Sequence, residues 1–249
     1  MAIIVLVPGS FAPADLYTDF VEVIAKAGLE TVVVDTPSVG RREGKGPATM
    51  TDDANEISRV VSPLIDQGKE VVLVAHSYGG IPTTQSLERL SPKARGAQGK
   101  SGGVLKVIYL TAVVLQVGMS NFELFGGTMP DFVSVADDYM SLSVEANAPL
   151  TFSDLPEDKA LMWANRMSVH STLSFKEKLT YPGYNDVQVH YILCEEDKII
   201  PPQFQQAMID LIKASSGNEV QVHSINSGHC PTHSQPDNLV NILKKIVQG

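Results

Sequence analysis

The chain has 249 residues, 43% of them hydrophobic and 19% charged, with a formal net charge of -9 at pH 7. That length and apolar share suit a single α/β unit with a full core, and the negative balance speaks against a nucleic-acid backbone or an anionic membrane surface as partner. Two cysteines, Cys194 and Cys230, are too few for a disulfide framework, and neither has the spacing of a metal ligand.

The first residues, M-A-I-I-V-L-V-P-G, carry no basic leader, and their apolar run ends at Pro8. They read as a core strand, Ile3–Val7, rather than a signal peptide. A helix over Leu16–Ala27 follows, with Leu16, Phe20, Val23, Ile24 and Ala27 on one face. Next come a strand over Thr31–Val34 and an exposed loop, Gly40–Pro47, carrying Arg41, Arg42 and Lys45. A helix over Ala54–Ile65 is expected to be capped by Thr51 or Asp52 and stopped by Gly68. Strands over Val71–Ala75 and Val107–Leu110 flank a helical run, Ile81–Leu90. Farther on, strands over Val189–Leu193 and Val220–His223 alternate with helices over Phe204–Ile212 and Leu239–Val247. Short runs rich in β-branched residues signal strands buried on both faces. Their alternation with helices predicts an α/β fold, a mostly parallel doubly wound sheet with its site at the carboxyl ends of the strands. No apolar run reaches the roughly 20 residues of a membrane span, so a cytoplasmic protein with reduced thiols is expected.

Between residues 115 and 184 the alternation stops and no strand is evident. A structureless loop of that length is uncommon. Residues 115–184 are therefore expected to form an inserted, mainly helical cap, with the core built from 1–114 and 185–249. Its Met119, Phe122, Phe125, Met129, Phe132, Met140, Met162, Trp163 and Met167 are expected mostly to make the insert's own small core. A minority would face an adaptable apolar pocket. Met119, Phe122, Phe125 and Trp163, with Phe11 of the first loop, are the substrate-binding candidates.

The stretch A-H-S-Y-G-G, 75–80, stands between a strand and a helix. A serine on such a strained turn needs small residues two positions either side, and Ala75 and Gly79 supply them. A serine attacks only if a base takes its proton and an acid orients the base. The next-to-last strand runs into C-E-E-D-K-I-I-P-P, where Glu195, Glu196 and Asp197 compete for the acid's place. The last strand leads to N-S-G-H-C-P, where Gly228 lets His229 turn inward as the base. His223 and His233 read as structural or surface residues, and His76 as packed behind the serine. Negative charge on a reacting carbonyl would need two N–H donors. Tyr78 offers one and Ser10, in the loop V-P-G-S-F-A-P, the other, with Gly9 allowing close approach.

At these residues the chain resembles the plant methyl esterase and hydroxynitrile lyase family of α/β hydrolases, which includes the salicylate-binding methyl esterase, and its microbial relatives. The likeness is carried by V-H-Y-I-L-C-E-E-D-K-I-I-P-P-Q-F-Q-Q-A-M-I-D, V-L-V-P-G-S, A-H-S-Y-G-G, L-T-A-V-V and S-G-H-C. It implies an α/β-hydrolase fold, no metal or organic cofactor, and the acid in the position before Lys198. That selects Asp197 and completes Ser77, Asp197 and His229 as the catalytic set. Pro8 stands where the family usually has histidine. The family's lyases carry Lys after the catalytic His and Thr in the first loop; Cys230 and Gly9 stand there in this chain, on the esterase side. The expectation is a cofactor-independent serine hydrolase that cleaves a small apolar carboxylic ester, a methyl ester or lactone included, through an acyl-enzyme. A small-molecule ester is then its partner, with no nucleic acid or membrane, and a homodimer is left open. The alternatives are a lyase or a biosynthetic cyclase or decarboxylase using the same triad, and a non-catalytic small-molecule receptor.

Overall fold

A computed structural model describes residues 2–249. Its strands are β1 (Ile3–Val7), β2 (Glu30–Val33), β3 (Val71–His76), β4 (Lys106–Leu110), β5 (Val133–Ala136), β6 (Tyr139–Leu142), β7 (His170–Ser171), β8 (Gln188–Cys194) and β9 (Val220–Ile225). Six of them form one sheet in the order β2-β1-β3-β4-β8-β9, and every neighbouring pair is parallel. β1, β3 and β4 are buried along their whole length, whereas the edge strands β2 and β9 show exposed residues. The side chains alternate between two cores. Ile3, Val5 and Val7 enter one with Ile57 and Val61, while Ile4 and Leu6 enter the other with Phe20, Ile24 and Leu243. A parallel sheet covered by helices on both faces requires this pattern.

All six strands expected from the sequence are present, with ends moved by a residue or two. The second helix differs at its start: it spans Met50–Asp66, and neither Thr51 nor Asp52 caps it. Thr49 does, its Oγ1 accepting Asp52 N–H at 3.2 Å while the Asp52 carboxylate accepts Thr49 N–H at 2.8 Å. That reciprocal pair satisfies two donors and leaves Thr51 free to hold the Glu177 carboxylate at 2.8 Å.

Residues 115–184 leave the main sheet. They contain short helices, as expected, and also an antiparallel sheet, β5-β6-β7, which the sequence did not disclose. β5 is mostly exposed and β7 has 2 residues, so neither leaves a periodic apolar trace. This sheet is tied to the loops after β1 and β2: Ser168 N–H donates to Phe11 O, and Gly40 N–H to Val169 O, each at 2.8 Å. β2 and β3 flank β1 on opposite sides. The loops after β1 and β3 therefore diverge around one crevice at the carboxyl edge, where open α/β sheets place their ligands. Among the described residues, no helix is long and apolar enough to cross a membrane.

Candidate active site

β3 ends at His76, and Ser77 then takes a left-handed backbone conformation, φ 53°. For a residue with a side chain this costs on the order of 1–3 kcal/mol. The turn is compressed against its surroundings. A Cβ on Gly79 would lie 2.5 Å from Pro8 O, and one on Gly80 would collide with Val113 O. Ala75 is fully buried between Val7 and Tyr109 on the neighbouring strands, so a methyl group is accommodated where the motif more often has glycine. Gly80→Ala is expected to destabilise the fold by about 2–3 kcal/mol, read as a fall in Tm of roughly 4–12 °C. An unchanged Tm would mean that the helix can slide away from Val113.

Ser77 Oγ lies 3.0 Å from His229 Nε2, and His229 Nδ1 lies 2.7 Å from Asp197 Oδ2. The three residues are 6%, 4% and 3% exposed, so the run is screened from bulk water. Asp197 accepts on both oxygens: Ile199 N–H at 2.7 Å and Ile200 N–H at 2.9 Å reach Oδ1, and Thr111 Oγ1–H reaches Oδ2 beside His229. Burial works against its charge. Attraction to His229 and the hydrogen bonds from His229, Thr111 and Ile200 outweigh that and hold the carboxyl below its usual range. The acceptor-only carboxylate obliges His229 Nδ1 to carry the proton. Nε2 is then a free acceptor facing the Ser77 hydroxyl. Glu195 and Glu196 are exposed and engage the last strand and its loop only through their N–H groups, bonded to Ile225 O and Ser227 O.

The loop after β1 comes within reach of the serine because residue 9 has no side chain; a Cβ there would stand 3.1 Å from Ser77 Cβ. Gly9 N–H is taken by Tyr17 Oη at 3.1 Å and Phe11 N–H by His170 Nδ1 at 3.2 Å. Ser10 N–H, between them, meets no acceptor among the described residues. Tyr78 N–H opens the turn after the serine, ahead of the first intrahelical bond. Ser10 and Tyr78 line the same cavity as Ser77.

Behind them runs wiring that sequence reasoning missed. His76 Nε2 bonds His229 O at 2.8 Å, so that nitrogen must carry hydrogen; Nδ1 then accepts from Tyr17 Oη–H at 2.8 Å. Burial, together with the nearby His229, pushes the His76 pKa down to about 3, and the ring is neutral. Gly9, Tyr17, His76 and His229 are thereby joined in one chain. On the other side, the Tyr78 hydroxyl donates to Asp53 at 2.8 Å and its ring stacks on Phe175. Burial raises the Asp53 carboxyl to about 6, with hydrogen bonds from Ser38 and Tyr78 opposing the rise. His170, wholly buried and with its pKa held down to about 3 by burial, ties the inserted segment to Phe11 and bonds Ser174 Oγ at 2.9 Å. Of the supporting contacts the sequence signalled only His76, packed behind the serine, and the L-T-A stretch, where Thr111 takes φ 36°.

Above the serine lies a cavity of about 390 Å³, within the range of small-molecule sites. Phe11, Phe122 and Phe125 line it, as expected, together with Met129, Phe132, Met140 and Met167. Most of the insert's large apolar side chains therefore face the cavity, and the expectation that they chiefly form a private core is corrected. Met119 and Trp163 are not on the wall. Met119 packs against the core cluster that contains Val113 and Leu115. Trp163 lies edge-on to His233, ring centroids 4.4 Å apart, under the Arg166 guanidinium; its large ring gains more by burial there. His233 itself reaches the wall, contrary to the surface reading. Cys230 also lines the cavity, and burial, with Asp197 nearby, drives its thiol pKa far up. Near the base, the Asp154 carboxylate of the inserted segment accepts Gly228 N–H at 2.7 Å. Among the described residues, no cluster of three His, Cys, Asp or Glu is placed to hold a metal ion.

A parallel sheet with this turn after β3 defines a class, and the chain belongs to it: it is a member of the alpha/beta hydrolase family, whose model matches residues 4–242. Within that class its sequence is 37% identical over 244 residues to Probable hydrolase R7 of Phoma sp., covering 98% of this chain and 97% of that protein. It is 26% identical over 262 residues to Methyl jasmonate esterase 1 of Vitis vinifera, covering 98% and 96%. Plant methylesterases and a hydroxynitrile lyase are thus among its sequence relatives. The crystal structure of polyneuridine aldehyde esterase superposes with a TM-score of 0.76 over 99% of each chain at 22% identity, a likeness of fold.

Proposed function

We propose that the protein is a cofactor-independent serine esterase that cleaves a small, mainly apolar carboxylic ester through an acyl-enzyme. The observation that carries this reading is the hydrogen-bonded run Ser77–His229–Asp197 at the foot of an apolar cavity. Residues 115–184 are taken as the cap over a core of 1–114 and 185–249.

Ser77 Oγ attacks the ester carbonyl as its proton moves to His229 Nε2. Asp197, already ionised, holds the ring in the required tautomer and stabilises the imidazolium. The oxyanion is met by Ser10 and Tyr78 N–H, which bear no other load. Collapse expels the alcohol, which takes the proton from Nε2. A water deprotonated by the same nitrogen then frees the acid and restores Ser77. Cys230 is unsuited to be the nucleophile: its buried thiol resists ionisation, and the nucleophile must be a thiolate.

The test is stopped-flow mixing with p-nitrophenyl acetate and butanoate, followed by intact-mass measurement of quenched enzyme. A rapid release of p-nitrophenolate equal to the enzyme concentration, with a matching acyl mass on the protein, is expected. A folded protein with neither burst nor turnover would overturn the reading and leave the lyase and receptor alternatives to be tried.

A further inference from the structure

Asn121 opens the short helix Asn121–Leu124 in the inserted segment and is one of the residues lining the cavity. The residue is 3% exposed, yet its Oδ1 is sealed from water and has no hydrogen-bond partner. An orphaned buried oxygen is costly, and a leucine of similar size would avoid the cost. Local structure does not demand the amide. Ser120 caps this turn, its Oγ accepting Glu123 N–H at 3.2 Å, while the Glu123 carboxylate accepts Ser120 N–H at 2.9 Å. Glu123 is further held by Lys178 at 2.9 Å. The backbone under Asn121 is therefore pinned without help from its own side chain.

Of the other polar side chains of the wall, His233 Nε2 is likewise buried without a partner, whereas Asn147 and Tyr17 are engaged. Asn147 Oδ1 accepts from Thr151 Oγ1 at 2.7 Å, and its Nδ2 meets Met167 Sδ at 3.3 Å. Tyr17 Oη is bonded on both sides, to Gly9 and to His76. Its sequence neighbours on the wall are Phe122, Phe125, Thr128 and Met129.

We propose that Asn121 is a specificity-determining residue that binds a hydroxyl group carried by an otherwise apolar ester. The inference rests on the esterase reading above and names its substrate class. Whichever way its plane is turned, a primary amide presents one acceptor oxygen and two N–H donors. A hydroxyl both donates and accepts, so it can pair with whichever end of the amide is turned to the cavity. A carboxylate or ether offers the oxygen no proton, and an alkyl group offers neither.

The experiment compares p-nitrophenyl 3-phenylpropanoate with its 2-, 3- and 4-hydroxyphenyl analogues on wild type and Asn121→Leu, with Asn121→Met in reserve should leucine impair folding. In wild type one hydroxylated ester is expected to exceed the parent in kcat/KM by about tenfold, and in the variant that ratio should fall towards one. The same ratio in both proteins for every analogue overturns the inference. If wild type hydrolyses none of the four, the esterase reading is decided separately by the acetate and butanoate test above. The inference is then read by calorimetric Kd values for 4-phenylbutan-2-one and its ring-hydroxylated analogues, which no hydrolysis can consume. Loss of a tenfold hydroxyl preference in the variant upholds it, and equal preferences in the two proteins overturn it.

Discussion

Ser77→Ala is expected to lower kcat for p-nitrophenyl butanoate by on the order of 10⁴- to 10⁶-fold while leaving the melting temperature close to that of wild type. Only the Oγ atom is removed, and alanine meets the same backbone demand at φ 53°. The residue is 6% exposed and makes its side-chain hydrogen bond to His229 Nε2, so little besides chemistry is lost with it. Residual rate would come from the two N–H donors and from binding in the cavity. A variant that kept a tenth of the wild-type kcat would remove Ser77 from the role of nucleophile.

Asp197→Asn should cost about 10⁴-fold in kcat by a different route. Four donors converge on this carboxylate: His229 Nδ1–H, Thr111 Oγ1–H, and the N–H groups of Ile199 and Ile200. An amide cannot accept at all of them. With its nitrogen turned to His229 it presents hydrogen to Nδ1, so that the ring carries its proton on Nε2 and points it at the serine oxygen. A ring in that tautomer has no lone pair on Nε2 with which to take the serine's proton. Stability changes too, and its sign follows from the depressed pKa of Asp197. The stabilisation from its ionised form is fully present above the unfolded carboxylate value of about 3.9 and is lost as pH falls through the lower folded value. Urea unfolding should therefore show wild type ahead of the variant at pH 7, with the gap narrowing below pH 4. A gap that stays constant through that range would mean the carboxylate is not held in its charged form by these contacts.

The central sheet was legible in the sequence because β1, β3 and β4 are buried on both faces, which leaves uninterrupted apolar runs such as I-I-V-L-V. Ser77 and His229 were legible because each follows a strand in a short glycine-bearing turn. The acid was not legible by position: Glu195, Glu196 and Asp197 are equivalent until the chain folds, and the family resemblance made the choice. In the folded protein the first two are exposed and the third is buried. The supporting contacts left almost no trace. Tyr17 and His76 are 59 residues apart, Thr111 and Asp197 86 apart, and Phe11 and His170 159 apart. Such pairings depend on how the elements pack rather than on local composition. The sheet of the inserted segment was hidden for the opposite reason, β5 being mostly exposed and β7 only 2 residues long. Trp163 misled because a large aromatic in an insert suggests a ligand, whereas here it lies edge-on to His233 and against Arg166.

On the proposed reading, the bond from Gly228 N–H to the Asp154 carboxylate makes residues 115–184, as a lid, and His229, as the base, parts of one assembly rather than interchangeable modules. A chimera that imports a relative's lid to change which esters are accepted would also import whatever stands at position 154. Without an acceptor there, the loop bearing His229 would lose a tether on its amino-terminal side, and a graft chosen for its pocket would misplace the base as well. On that reading selectivity and turnover would be inherited together across the junction, and recombination within the family would be constrained there by a single backbone amide.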